Sequence, residues 1–296
     1  VLDGLDFAVR AGEIFALLGP NGAGKTTVLR LLAGLLVPAA GEVRVCGGDP
    51  TDETVRAGIG WIPAGERTFY LRLSALENLV FFARLYGMGR REARRRAEAM
   101  LEAVGLAGRE RDRVRTFSQG MQRRLSVARG LLHEPAVLLV DEATHDLDPE
   151  GAEQVRAVVR AAADRGAAVL WATQRIEEVP DFADRVLLLA NGRCRFAGTV
   201  RELLAYADRR RFVLRLAGGG AGPDRIARLQ ATLGPMGTLT PDGDGAGVVL
   251  HLGRDAVLGR AIAALAAAGV DVVACHEQRS EVEEAFRQIV EREPDA

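Results

Sequence analysis

Over the first two thirds of the chain, short continuous apolar runs alternate with longer stretches whose apolar positions recur every three or four residues. The run at 13–18 (Glu-Ile-Phe-Ala-Leu-Leu) is apolar at every position after its first, which predicts a strand buried on both faces. It runs into a glycine-rich stretch, after which 28–36 reads as an apolar helix stopped by Val37-Pro38. Brief β-like runs follow at 43–45 and 59–62. From 75 to 104 the period is helical, with an Arg-rich stretch at 90–96, and another helix is expected over 118–133. Strand patterns resume at 137–140, 168–172 and 186–190, with helical segments between them. Such alternation predicts an α/β fold with a mostly parallel sheet, on which the helical stretch 75–133 forms an insertion at one side.

Composition shifts near residue 205, where turn-rich segments appear at 218–222 and 241–245. Strand 212–216, helix 224–233, strands 238–240 and 248–252, helix 256–268 and strand 270–274 give a β-α-β-β-α-β order. That order predicts a small ferredoxin-like α+β domain. A last helix is expected from Ser280, with Glu283 completing a capping box. The expected organisation is therefore a domain over 1–205 and an accessory or regulatory domain over 206–296.

The glycine-rich stretch carries the first specific chemistry. Residues 19–26 fit G-x-x-x-x-G-K-[ST] between a predicted strand and a predicted helix, the context that a phosphate-binding loop requires. Gly19, Gly22 and Gly24, with Asn21 and Ala23, let backbone N–H groups converge on phosphate oxygens at a helix N-terminus. Lys25 supplies a point charge for the β and γ phosphates, Thr26 a hydroxyl for Mg²⁺, and Thr27 completes the loop. Composition sharpens this reading. Of 39 basic residues, Lys25 is the one Lys and the rest are Arg, an imbalance that an Arg-biased genome explains everywhere else. Arg does not replace the compact ammonium of Lys in such a cradle. Downstream, 136–140 is an apolar strand ending in Asp141-Glu142. Beside a phosphate loop, Asp141 is expected in the Mg²⁺ shell and Glu142 as the group that polarises the attacking water.

The remaining composition narrows the partners. A formal net charge of −1 offers no field for nucleic acid, so no nucleic-acid partner is expected. Cys46, Cys194 and Cys275 are too few and too scattered for a disulfide framework or a zinc cluster, which favours a reducing cytosol. No apolar run approaches the roughly 18 residues of a membrane span, so the chain is expected to be soluble and to dock on something in the membrane. His133, His145, His251 and His276 have no metal-ligand spacing. Arg90 to Arg96, interleaved with Glu92, reads as a solvated helix face rather than a lipid contact, and Trp61 and Trp171 as core.

Together these motifs resemble the ATP-binding subunit of an ABC transporter. The sequence at 116–124 (Thr-Phe-Ser-Gln-Gly-Met-Gln-Arg-Arg) is similar to the family's signature segment, keeping Ser118 and the second glycine, Gly120. Asp148 matches the family's D-loop Asp. The resemblance covers residues 2 to about 205 and implies an ABC-type phosphate-loop ATPase fold. It implies that two ATP-binding subunits, identical or sister chains, sandwich ATP with Ser118 and Gly120 facing the opposing subunit's nucleotide. It further implies ATP and Mg²⁺ as ligands. The short interval from Lys25 to Ser118 and the single phosphate loop set aside the family's coiled-coil and twin-cassette branches, while the Glu77-Asn78-Leu79 helix start and the small C-terminal domain resemble bacterial exporter subunits. Those work with a separate integral membrane permease, at the cytoplasmic face of the inner or plasma membrane. The insertion and the loop at 64–73 are then expected to form the coupling surface.

Three positions depart from the family pattern. Ala64 stands where the family carries a Gln, and Glu66 is either its oxygen-bearing replacement or an exposed loop residue. Gln174 aligns with the family's switch His; it can hydrogen-bond a phosphate oxygen but does not protonate as His does. The aromatic that stacks on adenine precedes the family's first strand, inside which this chain is expected to begin, as a truncated frame or an alternative start codon would explain. Without it, ATP binding is expected to lose a stacking contribution of about 1–3 kcal/mol. Phe7 and Phe15 read as core. Two functions follow: an ATP-hydrolysing motor subunit, or a hydrolysis-impaired, ATP-dependent dimerisation module favoured by Ala64 and Gln174. Retention of Glu142 favours the motor.

Overall fold

The computed structural model describes residues 2–64, 69–205, 210–217, 222–242, 247–253, 256–279 and 289. It divides into two units, Val1–Val200 and Arg201–Ala296.

The first unit runs β1 (Ile14–Leu18), α1 (Lys25–Leu32), α2 (Glu53–Arg56), β2 (Ile59–Ile62), α3 (Ala75–Leu85), α4 (Arg90–Ala103), α5 (Gln119–Gly130), β3 (Val137–Asp141), α6 (Pro149–Asp164), β4 (Ala168–Thr173), β5 (Arg185–Ala190) and β6 (Arg193–Thr199). Its sheet has the order β2-β3-β4-β1-β5-β6, parallel except for β6. The continuous apolar runs form the inner strands because both faces are covered, and every residue of β1 is buried. The core around β1 joins Phe15 and Leu17 to Val28 and Leu29 of α1 and to Leu139, Leu170 and Leu187 of neighbouring strands. Phe7 stacks on Phe15 at 5.6 Å, and Trp171 is fully buried, while Trp61 packs partly buried against the same core.

Several predicted boundaries move, each for a local reason. Helix α1 stops at Leu32 rather than near 36, because Gly34 turns left-handed (φ 66) and Leu35 N–H closes back on the Arg30 carbonyl. The helical stretch 75–104 is two helices broken at Gly87 (φ 83). The period carries through the break because both helices bury small stripes, Ala75, Leu79 and Ala83 on one and Ala93, Ala97 and Leu101 on the other. The run at 43–45 forms no strand; Val45 makes an isolated bridge to Gly48. Residues 2–10 likewise form no strand, and 2–9 with 36–46 flank a cavity of about 870 Å³. Strand β6 lies outside the sequence reading, because its alternating, half-exposed residues look like loop. Its signal was the turn, since Asn191 (φ 52) and Gly192 (φ 76) form the two-residue Asn-Gly link of a hairpin.

The second unit contains α7 (Val200–Leu204, straddling the boundary), β7 (Arg210–Leu216), α8 (Pro223–Leu233), β8 (Gly237–Pro241), β9 (Val248–Leu252), α9 (Leu258–Ala267) and β10 (Val272–Arg279). The antiparallel sheet has the order β10-β7-β9-β8, a split β-α-β arrangement. Leu214, Leu250 and Leu252 of the sheet pack with Leu233 of α8 and Leu265 of α9. β10 starts later and extends further than its predicted run. The predicted helix start at Ser280 and Glu283 lies outside the described residues.

Candidate functional site

β1 ends at Leu18 in the middle of the sheet, and the chain must reverse at once into α1. Gly22 (φ 80) and Gly24 (φ 111) supply backbone angles that side chains resist, and a Cβ on Gly19 would strike the Leu189 carbonyl. Asn21 and Gly22 form the exposed tip of the loop, while Ala23 is buried and Thr27 half-buried on α1. Gly24 is the N-cap of α1 with no side-chain cap, so the helix's first N–H groups face the loop.

Lys25, the first helical residue, is 94% removed from solvent and folds back over the loop. Its Nζ donates to the Gly19 carbonyl at 2.7 Å and the Pro20 carbonyl at 3.2 Å, and lies 3.4 Å from Glu142 Oε1. The next residue, Thr26, donates its hydroxyl to Asp141 Oδ2 at 2.9 Å. The phosphate loop and the end of β3 therefore meet through two contacts, one from each of two adjacent residues. β4 lies between their strands: Leu18 pairs with Thr173, and Ala172 with Asp141. All three strands end at one level, so Gly19, Glu142 and Gln174 leave the same edge of the sheet.

The electrostatics at this edge are unequal. Burial raises the Asp141 carboxyl above the ordinary carboxylate range, opposed by the Thr26 hydrogen bond and by the charges of Lys25, Arg123 and Arg30. Glu142 has left-handed backbone (φ 52), and both of its carboxylate oxygens are buried without a hydrogen bond. Its contact with Lys25 is close enough for ion pairing but lacks hydrogen-bond geometry. A buried, incompletely satisfied carboxylate beside a phosphate loop is chemically suited to accept a proton from water. Gln174 follows β4, half-buried. Glu66 lies outside the described residues, and Ala64 presents only a methyl group.

Ser118, Gly120 and Asp148 gather at a second place. Ser118 caps α5, accepting from Met121 N–H at 3.2 Å, and Asp148 caps α6, accepting from Gly151 N–H at 2.9 Å. A Cβ on Gly120 would lie 3.3 Å from Leu147, so the start of α5 abuts the loop at 146–148.

Two residues had no role assigned from the sequence. Glu178, buried, accepts from the Thr144 hydroxyl at 2.7 Å and pairs with Arg175 at 3.3 Å and Arg156 at 3.5 Å. It links the segment after Glu142 to the residue after Gln174. Burial raises its carboxyl, against the Thr144 hydrogen bond and the two guanidinium charges. The other is Arg123 of α5, which donates to the Glu142 carbonyl. Neither stands out among so many Glu and Arg residues; the fold singles them out.

Residues 2–145 match the sequence profile described as ABC transporter. A daunorubicin resistance ATP-binding protein of Streptomyces coeruleorubidus is 44% identical, over 73% of this chain and 70% of that protein. The chain belongs to the ABC transporter family. A daunorubicin/doxorubicin resistance ATP-binding protein of Streptomyces peucetius is 37% identical over 96% of this chain and 86% of its own length. Among solved structures, the ATP-binding subunit of an ABC transporter superposes with a TM-score of 0.64 at 29% identity, over 69% of this chain and 86% of that one. An ATP-binding cassette solved as a dimer in a post-hydrolysis state with ADP and Pi gives 0.62 at 26% identity, over 68% and 90%. This chain is an ATP-binding subunit of exporter-like ABC transporters, and an ATPase. The alternative of a hydrolysis-impaired module finds no support: Glu142 is retained at the strand edge against Lys25.

Proposed function

We propose that this chain is the motor of an exporter, splitting ATP inside a sandwich of two ATP-binding subunits and driving a separate membrane permease. The observation that carries this reading is the double contact at the sheet edge, Thr26 with Asp141 and Lys25 with Glu142. In it, Gly19, Asn21, Gly22, Ala23, Gly24 and Thr27 cradle the phosphates through backbone N–H groups, and Lys25 leaves its own loop carbonyls for phosphate oxygens. Glu142, released from Lys25, takes the proton of the attacking water, and Gln174 hydrogen-bonds a phosphate oxygen. Ser118 and Gly120 at the α5 N-terminus, with Asp148, complete the opposing subunit's site.

Thr26 and Asp141 are hard oxygen donors suited to Mg²⁺, which when bound neutralises phosphate charge. No group of three or more His, Cys, Asp or Glu among the described residues forms a metal site unaided. Phosphate oxygens and water would therefore supply the other ligands.

The permease surface is argued from exposure. Tyr70, Leu71, Phe81 and Leu85 stand out on α3 and the loop before it, with Phe81 edge-on to Tyr70 at 5.0 Å. No helix among the described residues is long and apolar enough to cross a membrane, and we assign the chain a peripheral place at the cytoplasmic face.

The test compares ATP turnover of wild type and Glu142→Gln with the membrane partner present, alongside light scattering of the ATP-bound proteins. A loss of roughly 10²–10⁴-fold is expected for the variant, as for removal of a general base. ATP should still double its mass. Equal turnover in both proteins ends the motor reading.

A further inference from the structure

Arg123 sits one turn inside α5, and its guanidinium reaches from the helical insertion to the edge of the sheet. Nη1 donates to the Pro63 carbonyl at 2.7 Å, and Nη2 donates to the Glu142 carbonyl at 2.7 Å. Pro63 follows β2 and precedes Ala64; Glu142 follows β3. The two strands are paired neighbours, Ile62 with Val140, so one rigid fork spans the two loops that leave them. Two donors on one plane fix direction as well as distance.

What the fork holds matters because of how Glu142 is built. Its carboxylate oxygens face the Lys25 ammonium at 3.4 Å but make no hydrogen bond, so once Lys25 turns to phosphate the aim of the side chain comes from its backbone. That backbone is left-handed (φ 52), a conformation that persists only where the surroundings over-determine it. Three bonds do so: Glu142 N–H to the Ala172 carbonyl at 3.0 Å, His145 N–H to the Glu142 carbonyl at 3.2 Å, and the Arg123 guanidinium to the same carbonyl. The first two lie within the sheet and its own turn. Arg123 is the member contributed by the helical insertion.

We propose that Arg123 is a positioning residue for hydrolysis, which aims Glu142 through its backbone and ties that aim to Pro63 and to α5. Movement of the insertion against the sheet then changes the direction of the catalytic carboxylate. The insertion is thereby linked to the chemistry although the Ala64 methyl group cannot make such a link. The proposal rests on the motor reading above.

The test uses the full chain, measuring kcat and KM for Mg-ATP in wild type, Arg123→Ala and Arg123→Lys, with Glu142→Gln as the baseline. Arg123→Ala should lower kcat by roughly 10- to 100-fold, the scale of a misplaced catalytic group, with KM within about three-fold. Arg123→Lys keeps the charge without the fork and should recover only a minor part. Millimolar guanidinium ion should partly restore the Ala variant. A shifted melting temperature with unchanged kcat overturns the proposal, as does a KM that rises in step with the loss of kcat. If Arg123→Ala does not fold, the Lys variant alone decides by the same kcat and KM criteria. Should wild type turn over no faster than Glu142→Gln, the motor reading fails and hydrogen exchange decides about Arg123. Its loss must then accelerate exchange at 62–64 and 142–145 together while α5 stays protected; an unchanged rate in either segment refutes the positioning role.

Discussion

Lys25 has three N–H donors, and carbonyls of its own loop accept two of them while Glu142 faces the ammonium. In the proposed function those contacts are what an incoming phosphate would exchange, and a compact ammonium would make the exchange without moving the loop. Replacing it by the planar, wider guanidinium in Lys25→Arg should forfeit a charge-assisted bond of about 1.5–3 kcal/mol, roughly 10- to 100-fold in ATP affinity. Titration with a fluorescent ATP analogue checks this, and an affinity within two-fold of wild type would contradict it. The position of Lys25 was readable in the sequence, because the spacing and the scarcity of Lys both single it out. Its pairing with Glu142 was not readable, since Lys25 opens the helix after β1 and Glu142 follows β3, two strands separated by β4.

Among the elements, α3 shows how much local sequence decides. Ser74 accepts from Glu77 N–H at 3.2 Å while Ser74 N–H donates to Glu77 Oε2 at 2.8 Å, a reciprocal capping box. Buried Asn78 then bonds the Tyr70 carbonyl and the Ser74 carbonyl, pinning the preceding loop. Ser74→Ala should cost about 1 kcal/mol in urea unfolding, as lost N-caps do, and no change in midpoint would deny the cap a role. The joint between α5 and the sheet is instead a tertiary matter. His133 stacks on Tyr86 at 3.8 Å, with Nε2 3.3 Å from the Ile59 carbonyl. Burial lowers its pKa, helped by the Arg96 charge and opposed by the bond to Ile59. The folded ring stays neutral where the unfolded one, near 6.5, takes a proton. The stability it contributes is therefore present above about pH 6.5 and lost as pH falls from there toward the lowered value. Unfolding midpoints at pH 7.5 and 5.5 should differ more in wild type than in His133→Phe, which keeps the stack. Equal pH dependence in both would show that His133 is not responsible.

For the molecule as a whole, the apolar surface on α3 and the loop before it is an exposed cluster of large side chains. Phe82 lies beneath it, with the Arg129 guanidinium 5.1 Å from its ring centre, while Tyr70, Leu71 and Phe81 remain open to solvent. Contiguous exposed aromatics of this kind mark interaction sites. Charge at its centre, in Phe81→Asp, should lower co-purification with the membrane permease by at least several-fold. Undiminished recovery would rule this surface out as the proposed docking site.

What the sequence determined by itself was the type of most elements and the places of the motifs, though not β6 or the absence of a strand at 43–45. Apolar period separates strands from helices, glycines mark where the phosphate loop turns, and a Ser or Asp before a helix caps it. These are interactions over a few residues, so their causes lie in neighbouring letters. The tertiary structure alone decided the order β2-β3-β4-β1, which inserts β4 between the two carboxylate-bearing and phosphate-binding edges. It also decided that a guanidinium from α5 reaches the Glu142 backbone, and that Glu178 joins Thr144 to Arg175. Such contacts link residues distant in sequence, and no local period encodes which distant partner a buried carboxylate or a long Arg side chain will meet once the layers close.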